Sequence, residues 1–492
     1  MPPLKVLFVS SEVTPFRKTG GLADVAGALP KALSRRGMDV RVVTPLYHGT
    51  RWDELERLDG ILDVPTFVGR QRAGVRLGRL PGSAVPIYFI EHNQMFDRPY
   101  VYGPPGSAYH DNLERFVFLS RAALEMTKAI GWVPDVLHAN DWQTALMPVF
   151  LNTVEWGKPL HGTASIFSIH NLAYQGNREA GAHKLTGLGW EHFNPNEFEH
   201  FGDFNPLKAA LIHSTMLSTV SPTYAREIQT GEFGCGLDGV LASRSGDLRG
   251  ILNGIDTDEW DPTRDPYLPV GFNANDMSGK AANKAALQKE MGLPVRPDVP
   301  LFGVISRLTP QKGLDVLAHS LERILQWDVQ LVVLGTGDPE AEQFFSAMTA
   351  QRGDKLRSYI GFDNGLSHRI EAGIDFFIMP SRFEPCGLNQ MYSLRYGSLP
   401  IVRATGGLAD TVANYDETTG DGTGFVFNDL TTSALEGVIG WALSTFHDRP
   451  DHIAKMRRRA MQQDFSWGRA AAEYEILYRD AYRRRRGHDF PG

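Results

Sequence analysis

Short, nearly continuous apolar runs recur along this chain, separated by longer stretches with helical spacing. No other feature limits the possible folds so strongly. The runs fall at residues 6–9, 40–43, 87–90, 136–138, 166–169 and 217–220, then at 301–305, 331–334, 374–379 and 399–402. Strands that are apolar on both faces belong to parallel sheets covered by helices on each side. Repeated over 492 residues, the alternation predicts doubly wound α/β architecture. The pattern breaks at residues 253–276, a turn-rich stretch with Asp-Pro at 261–262 and 265–266. Two α/β domains are therefore expected, 1–252 and 253–466. Beyond them, Ala470, Tyr474, Leu477, Tyr478 and Ala481 share one face of a predicted helix, which must pack on something.

Composition narrows the class. Lysine and arginine total 50 against 57 aspartates and glutamates, a formal charge of −7. That balance argues against a nucleic-acid binder, which needs concentrated cations for phosphate contacts. Cys235 and Cys386 are the only cysteines, so no disulfide framework is expected and a reducing, cytoplasmic setting fits. The apolar run near the start is too short for the core of a signal peptide. No run approaches the roughly 18 apolar residues of a spanning helix, so no membrane partner is expected. Four arginines at 483–486 read as the solvated end of the terminal helix. Nothing in the sequence specifies an oligomeric state.

The hexapeptide Thr-Gly-Gly-Leu-Ala-Asp occurs at 19–24 and again at 405–410, each time between a strand candidate and a helix candidate. Glycines there let a ligand approach the backbone, and the helix N-terminus that follows aims its amides at an anion. Tight packing explains either copy alone, and the shared Leu-Ala-Asp less well. Arg307 and Lys312 flank a turn at the end of a predicted strand, where ligands of open α/β sheets gather, and two cations there suit a diphosphate. Glu384 follows the run at 374–379, just before a predicted helix, where an isolated carboxylate reads as a helix cap, and the Cys386 and Gly387 amides close behind could meet a phosphate or a sugar hydroxyl. The segments 138–142 and 168–172 end two further strands and bring in Asp141 and His170. His170 is either a satisfied core histidine or a hydrogen-bonding partner of a sugar. No metal site is expected, because His-Glu-x-x-His and clustered Cys/His spacings are absent. Gly335-Thr-Gly337 lacks the third glycine of a dinucleotide fingerprint, and Asp256-Thr-Asp258 is too short a match to count as a cation site.

Taken in order, these segments resemble one family. They are Lys18-Thr-Gly-Gly-Leu-Ala-Asp-Val25, His138-Ala-Asn-Asp-Trp142, His170-Asn-Leu-Ala-Tyr-Gln-Gly176 and Leu252-Asn-Gly-Ile-Asp256. Ser306-Arg-Leu-Thr-Pro-Gln-Lys-Gly313, Pro380-Ser-Arg-Phe-Glu-Pro-Cys-Gly387 and the second hexapeptide complete the series. The chain is similar along almost its whole length to bacterial glycogen synthases and plant starch synthases. The resemblance implies a GT-B fold, two Rossmann-like domains facing a central cleft, with helix 467–492 packing back on the acceptor-side domain 1–252 and nucleotide binding assigned to 253–466. It implies a retaining hexosyltransferase that moves glucose from ADP-glucose to the non-reducing end of an α-1,4-glucan such as glycogen, without metal or other cofactor. A related enzyme using UDP-glucose or another acceptor is the alternative.

The resemblance also implies site residues. Lys18, Gly21 and Asp24 would lie at the donor, and Asp141, His170 and Asn253 would line the glucose pocket. Arg307 and Lys312 would neutralise the diphosphate. Glu384 would hold glucose hydroxyls beside Cys386 and Gly387. Thr405, Gly406 and Gly407 would complete the donor site. Phe362 takes the place of the family's usual tyrosine against the adenine, and Asn389 stands where relatives have threonine. Tyr392, eight residues after Glu384, takes the place of a second glutamate found in the wider retaining GT-B pattern.

Overall fold

The computed structural model describes residues 2–104 and 106–491, and the chain divides into two compact units. The first comprises Met1–Val220, Ala225–Gly254 and Trp467–Gly492, and the second Ser221–Tyr224 and Ile255–Ser466. Both are built on parallel sheets, as the apolar runs predict.

In the first unit the strands are β1 (Lys5–Val9), β2 (Asp39–Pro45), β3 (Glu56–Arg57), β4 (Leu62–Thr66), β5 (Gly69–Arg79), β6 (Pro86–Glu91), β7 (Val136–Asn140) and β8 (Ala164–Ile169). A small hairpin follows, β9 (Glu199–His200) and β10 (Asp203–Phe204), then β11 (Met216–Thr219) and β12 (Leu248–Gly250). The sheet order is β12-β11-β8-β7-β1-β2-β6-β5-β3, parallel from β12 to β6. Strand order reverses between β1 and β7, which opens a crevice at their carboxyl ends. The sequence reading missed the antiparallel extension, in which β5 pairs with β6, β4 and β3. Its strand β5 carries four arginines and buries only Ala73 and Val75. A half-exposed strand in this antiparallel extension has no reason to be apolar on both faces.

The second unit holds β13 (Leu301–Ile305), β14 (Gln330–Gly335), β15 (Leu356–Ile360), β16 (Phe376–Met379), β17 (Leu399–Arg403) and β18 (Phe425–Phe427). Their order, β15-β14-β13-β16-β17-β18, is parallel throughout. Here the reversal lies between β13 and β16.

The terminal helix Trp467–Arg486 belongs to the first unit. Trp467, Ala470, Tyr474, Leu477, Tyr478 and Ala481 are buried in the core shared by β1, β2, β7 and helix Gly21–Arg35. Each fully buried large side chain of that face contributes about 1.5–3 kcal/mol. Its arginines are not simply solvated: Arg484 pairs with Asp247, and Arg485 donates to the His161 carbonyl and Asn152 Oδ1. Carbonyls and a carboxylate on the first unit give these cations partners that their sequence neighbours do not. Buried His138 shares a hydrogen bond with the Tyr478 hydroxyl (2.7 Å) and another with Ser168 Oγ (2.6 Å). Burial holds its imidazole well below the usual range, so it is a neutral core residue. Tyr478→Phe leaves one His138 nitrogen unpaired and is expected to destabilise the first unit by about 1–3 kcal/mol, measurable as a lower melting temperature.

Candidate active site

At the switch point of the second sheet, two loops meet. The loop after β13 carries Arg307 and Lys312, and the loop after β16 carries Ser381 and Glu384. Lys312 Nζ lies 2.6 Å from Glu384 Oε2, with side chains 15% and 7% exposed. Ser381 Oγ donates to the same oxygen at 3.0 Å, and among the described residues no donor reaches Oε1. The carboxylate is thus held by one edge, and its other oxygen can accept from a ligand. Arg307 is exposed, and among the described residues its guanidinium meets only Gln311 Oε1, at 3.3 Å. Thr309 Oγ1, in the same turn, is buried without a partner among the described residues. Gly313 has φ 67°, and a methyl group there would run into the Pro380 carbonyl. That contact seats the cationic loop on the Glu384 loop.

The second hexapeptide braces this arrangement. Gly406 has φ 44°, and a side chain at Gly406 or Gly407 would strike the carbonyls of Glu384 or Cys386. The Gly407 N–H donates to the carbonyls of Glu384 (3.1 Å) and Pro385 (3.2 Å). That amide is therefore committed to the protein's own carbonyls. Gln390 Nε2 donates to the carbonyls of Cys386 and Gly387 and to Thr411 Oγ1, locking the turn. Asn389 donates to the Ile305 carbonyl at 2.6 Å and so ties the end of β13 to the following helix. Glu384 lies five residues before that helix, Asn389–Arg395, so it is not its cap. Phe362, beyond the end of β15, is 83% exposed. Tyr392 is buried and stacks on Trp260 at 3.8 Å, an aromatic packing position. Gly335 and Gly337 pack against the Ser306 and Leu308 backbones, which accounts for that pair of glycines. Asp256 accepts from the amides of Asp258 and Glu259, a turn cap.

In the first unit, Asp141 follows β7 at the switch point with φ 55° and ψ 178°, a backbone region sparsely populated by residues other than glycine. Its Oδ1 accepts from the His170 amide at 2.8 Å. Burial nevertheless pushes its carboxyl up to about 7, with the charge of Glu12 adding to the rise. His170 Nε2 lies 2.9 Å from Asn140 Oδ1. The Asn140 amide nitrogen already donates to the Val9 carbonyl, so its oxygen faces His170, Nε2 carries the proton, and Nδ1 is an acceptor. Burial lowers His170 to about 4, which keeps it neutral at neutral pH. Asn253 is buried, and its Oδ1 has no partner among the described residues. A buried amide oxygen without a donor is uncommon in a folded protein and suits a ligand hydroxyl.

The first hexapeptide behaves differently from the second. Lys18 and Asp24 pair at 2.7 Å, while Gly20 has extended φ and a side chain there would meet nothing within 4 Å. Helix Gly21–Arg35 begins with no side-chain cap, so its first amides are unclaimed by a capping side chain. Glu12, which the sequence reading passed over, holds this loop. The available signal was a carboxylate within three residues of the end of the first strand.

Comparison with known proteins agrees with this geometry. The family model described as starch synthase catalytic domain matches residues 5–243, and that for glycosyl transferases group 1 matches 289–460. Glycogen synthase 1 of Geobacter sulfurreducens is 52% identical over 493 residues, covering 99% of this chain and 98% of that protein. A glycogen synthase of Anaeromyxobacter dehalogenans is 50% identical over 478 residues, covering 97% of this chain and 99% of that one. The catalytic domain of starch synthase IV from Arabidopsis thaliana, solved with ADP and acarbose, superposes with a TM-score of 0.90 at 36% identity, over 98% of this chain and all of that one. Sucrose-phosphate synthase from Thermosynechococcus elongatus, at 17% identity and a TM-score of 0.61 over 97% of this chain and 98% of that one, shares the fold. Two Rossmann-type sheets, with a cation–carboxylate pair at one switch point and a neutral histidine with a strained aspartate at the other, form a glycosyltransferase of the GT-B class. Within that class, the chain belongs to the glycogen and starch synthase family.

Proposed function

We propose that this enzyme transfers glucose from ADP-glucose to the non-reducing end of an α-1,4-glucan, with retention at the anomeric carbon. The observation that carries the reading is the buried Lys312–Glu384 pair at the β13/β16 switch point, with exposed Arg307 on the same loop. The second unit takes the nucleotide and the first takes the acceptor, with the terminal helix Trp467–Arg486 as part of its core. The ADP donor is supported by the starch synthase IV relative, which was solved with ADP.

The leaving diphosphate gains negative charge as the glucosyl carbon becomes oxocarbenium-like. Fixed cations beside it therefore stabilise the transition state more than the ground state. Arg307 and Lys312 supply that charge, so no metal is needed to balance the departing ADP. Glu384 Oε1 accepts from glucose hydroxyls, with the Cys386–Gly387 turn alongside. In the first unit the uncapped amides at Gly21 bind the donor together with Lys18, which pairs with Asp24. Asn253 Oδ1, the neutral His170 imidazole and Asp141 hold sugar hydroxyls. Phe362 stacks on the adenine, and Thr405, Gly406 and Gly407 support the donor site from behind. Attack occurs on the face that ADP leaves, the departing phosphate oxygen taking the acceptor hydroxyl's proton. Cys235 and Cys386, which form no disulfide, suit a cytoplasmic enzyme. No helix among the described residues is long and apolar enough to cross a membrane.

Incorporation of labelled glucose into glycogen tests the reading, with ADP-glucose and UDP-glucose compared at equal concentration. Faster incorporation from ADP-glucose is expected. Preference for UDP-glucose would reassign the donor, and no incorporation from either would overturn the transferase assignment.

A further inference from the structure

We propose that Glu12 is a positioning residue for the donor loop: its buried carboxylate sets the backbone of Thr19 and Gly20, and through them the placement of Lys18 and the first amides of helix Gly21–Arg35. The inference rests on the donor role given above to that loop.

Glu12 lies just beyond β1 and is 3% exposed. It accepts from the Thr19 amide, from Thr19 Oγ1 at 2.9 Å to each carboxylate oxygen, and from the Gly20 amide at 3.3 Å. The Tyr102 hydroxyl donates to Oε1 at 3.0 Å and is held in turn by Ser11 Oγ at 2.8 Å. A carboxylate is well suited to such a cluster, because it accepts on every lone pair and donates on none. The helix has no N-cap side chain of its own. Glu12, eight residues back from Gly20, accepts the amides immediately ahead of the helix. Its negative charge at a helix N-terminus is favourable. Thr19 and Gly20 are themselves exposed, so little else in the protein restrains them. Burial raises the carboxyl's proton affinity and the Thr19, Tyr102 and Gly20 donors oppose that rise, as expected of a buried acid kept for its acceptors.

The chemistry of each oxygen separates positioning from mere bulk. The two loop amides meet Oε2, whereas Oε1 faces only hydroxyls, which can reverse direction. Glu12→Gln can therefore place its oxygen on the amides and its NH2 on the Tyr102 and Thr19 hydroxyls, preserving the loop. Glu12→Ala cannot. Thr19→Val removes one loop anchor at an exposed position and leaves the buried carboxylate in place.

Steady-state transfer to glycogen, with ADP-glucose and glycogen varied separately, gives the test. For Glu12→Ala, kcat/KM for ADP-glucose is expected to fall about tenfold while KM for glycogen stays unchanged. Thr19→Val should move the same parameter by about threefold, and Glu12→Gln should restore near-normal values. If Glu12→Ala does not fold, Thr19→Val decides. Unchanged ADP-glucose kinetics in a folded variant, or equal loss toward both substrates, would overturn the proposal. Failure of the unaltered enzyme to transfer glucose would instead remove the functional reading on which it rests.

Discussion

Lys312→Ala is expected to reduce turnover by roughly 10²–10³-fold, the range seen when one fixed donor to a developing charge is removed. Two effects combine at this position. The ammonium stabilises the departing diphosphate, and it also holds the buried Glu384 carboxylate at 2.6 Å. Removing one partner of a buried ion pair costs about 3–5 kcal/mol of stability, because the remaining charge is left uncompensated. Ser381 Oγ offsets part of that loss. Lys312→Arg keeps a cation but replaces a compact ammonium with a planar fork, so it should recover stability before it recovers turnover. Arg307→Ala is a cleaner probe of charge alone, since Arg307 is exposed and its guanidinium pairs with Gln311. It should lose more than about tenfold in kcat with an unchanged melting temperature. Near-normal turnover in both alanine variants would refute the charge assignment.

The second large effect is expected at Gly406. Alanine there faces an unfavourable φ of 44° and a collision with the Glu384 carbonyl oxygen. Left-handed backbone strain alone costs about 1–3 kcal/mol, and a clash with fixed backbone takes the total to about 4 kcal/mol or more. At about 2–4 °C per kcal/mol for a unit of this size, the melting temperature of the second unit should fall by about 10 °C. Activity should fall with it, because Glu384 is displaced. Gly20→Ala is the informative comparison. Its φ is extended and nothing lies within 4 Å of the added methyl, so stability should be unchanged while KM for ADP-glucose rises. Equal melting temperatures for the two variants would show that the hexapeptides play the same part after all.

The apolar runs revealed both parallel sheets because strands covered on two faces have little freedom in composition. The half-exposed strands β5 and β15 escaped for the converse reason: β15 reads Leu-Arg-Ser-Tyr-Ile and buries only Leu356. The long motifs also marked the residues that now gather at the switch points, since the ends of parallel strands are where polar groups must cluster. Asp141 was marked, but the strain in its backbone and the rise of its carboxyl to about 7 on burial exist only in the folded chain. His138 and His170 occupy similar strand-end motifs, yet His138 is locked between Tyr478 and Ser168 in the core, and His170 keeps an acceptor nitrogen at the site.

The alternation of apolar runs with helical spacing was enough to call for two doubly wound sheets. The reason is local: burial on both faces of a strand acts on each residue separately. The two copies of Thr-Gly-Gly-Leu-Ala-Asp are identical in sequence, and only folding distinguishes them. One lies against open space and hangs from Glu12, while the other is pressed against the backbone that carries Glu384. Packing and hydrogen bonding depend on which segments the chain topology brings alongside, and those partners lie 7 or more residues away from one copy and about 20 from the other.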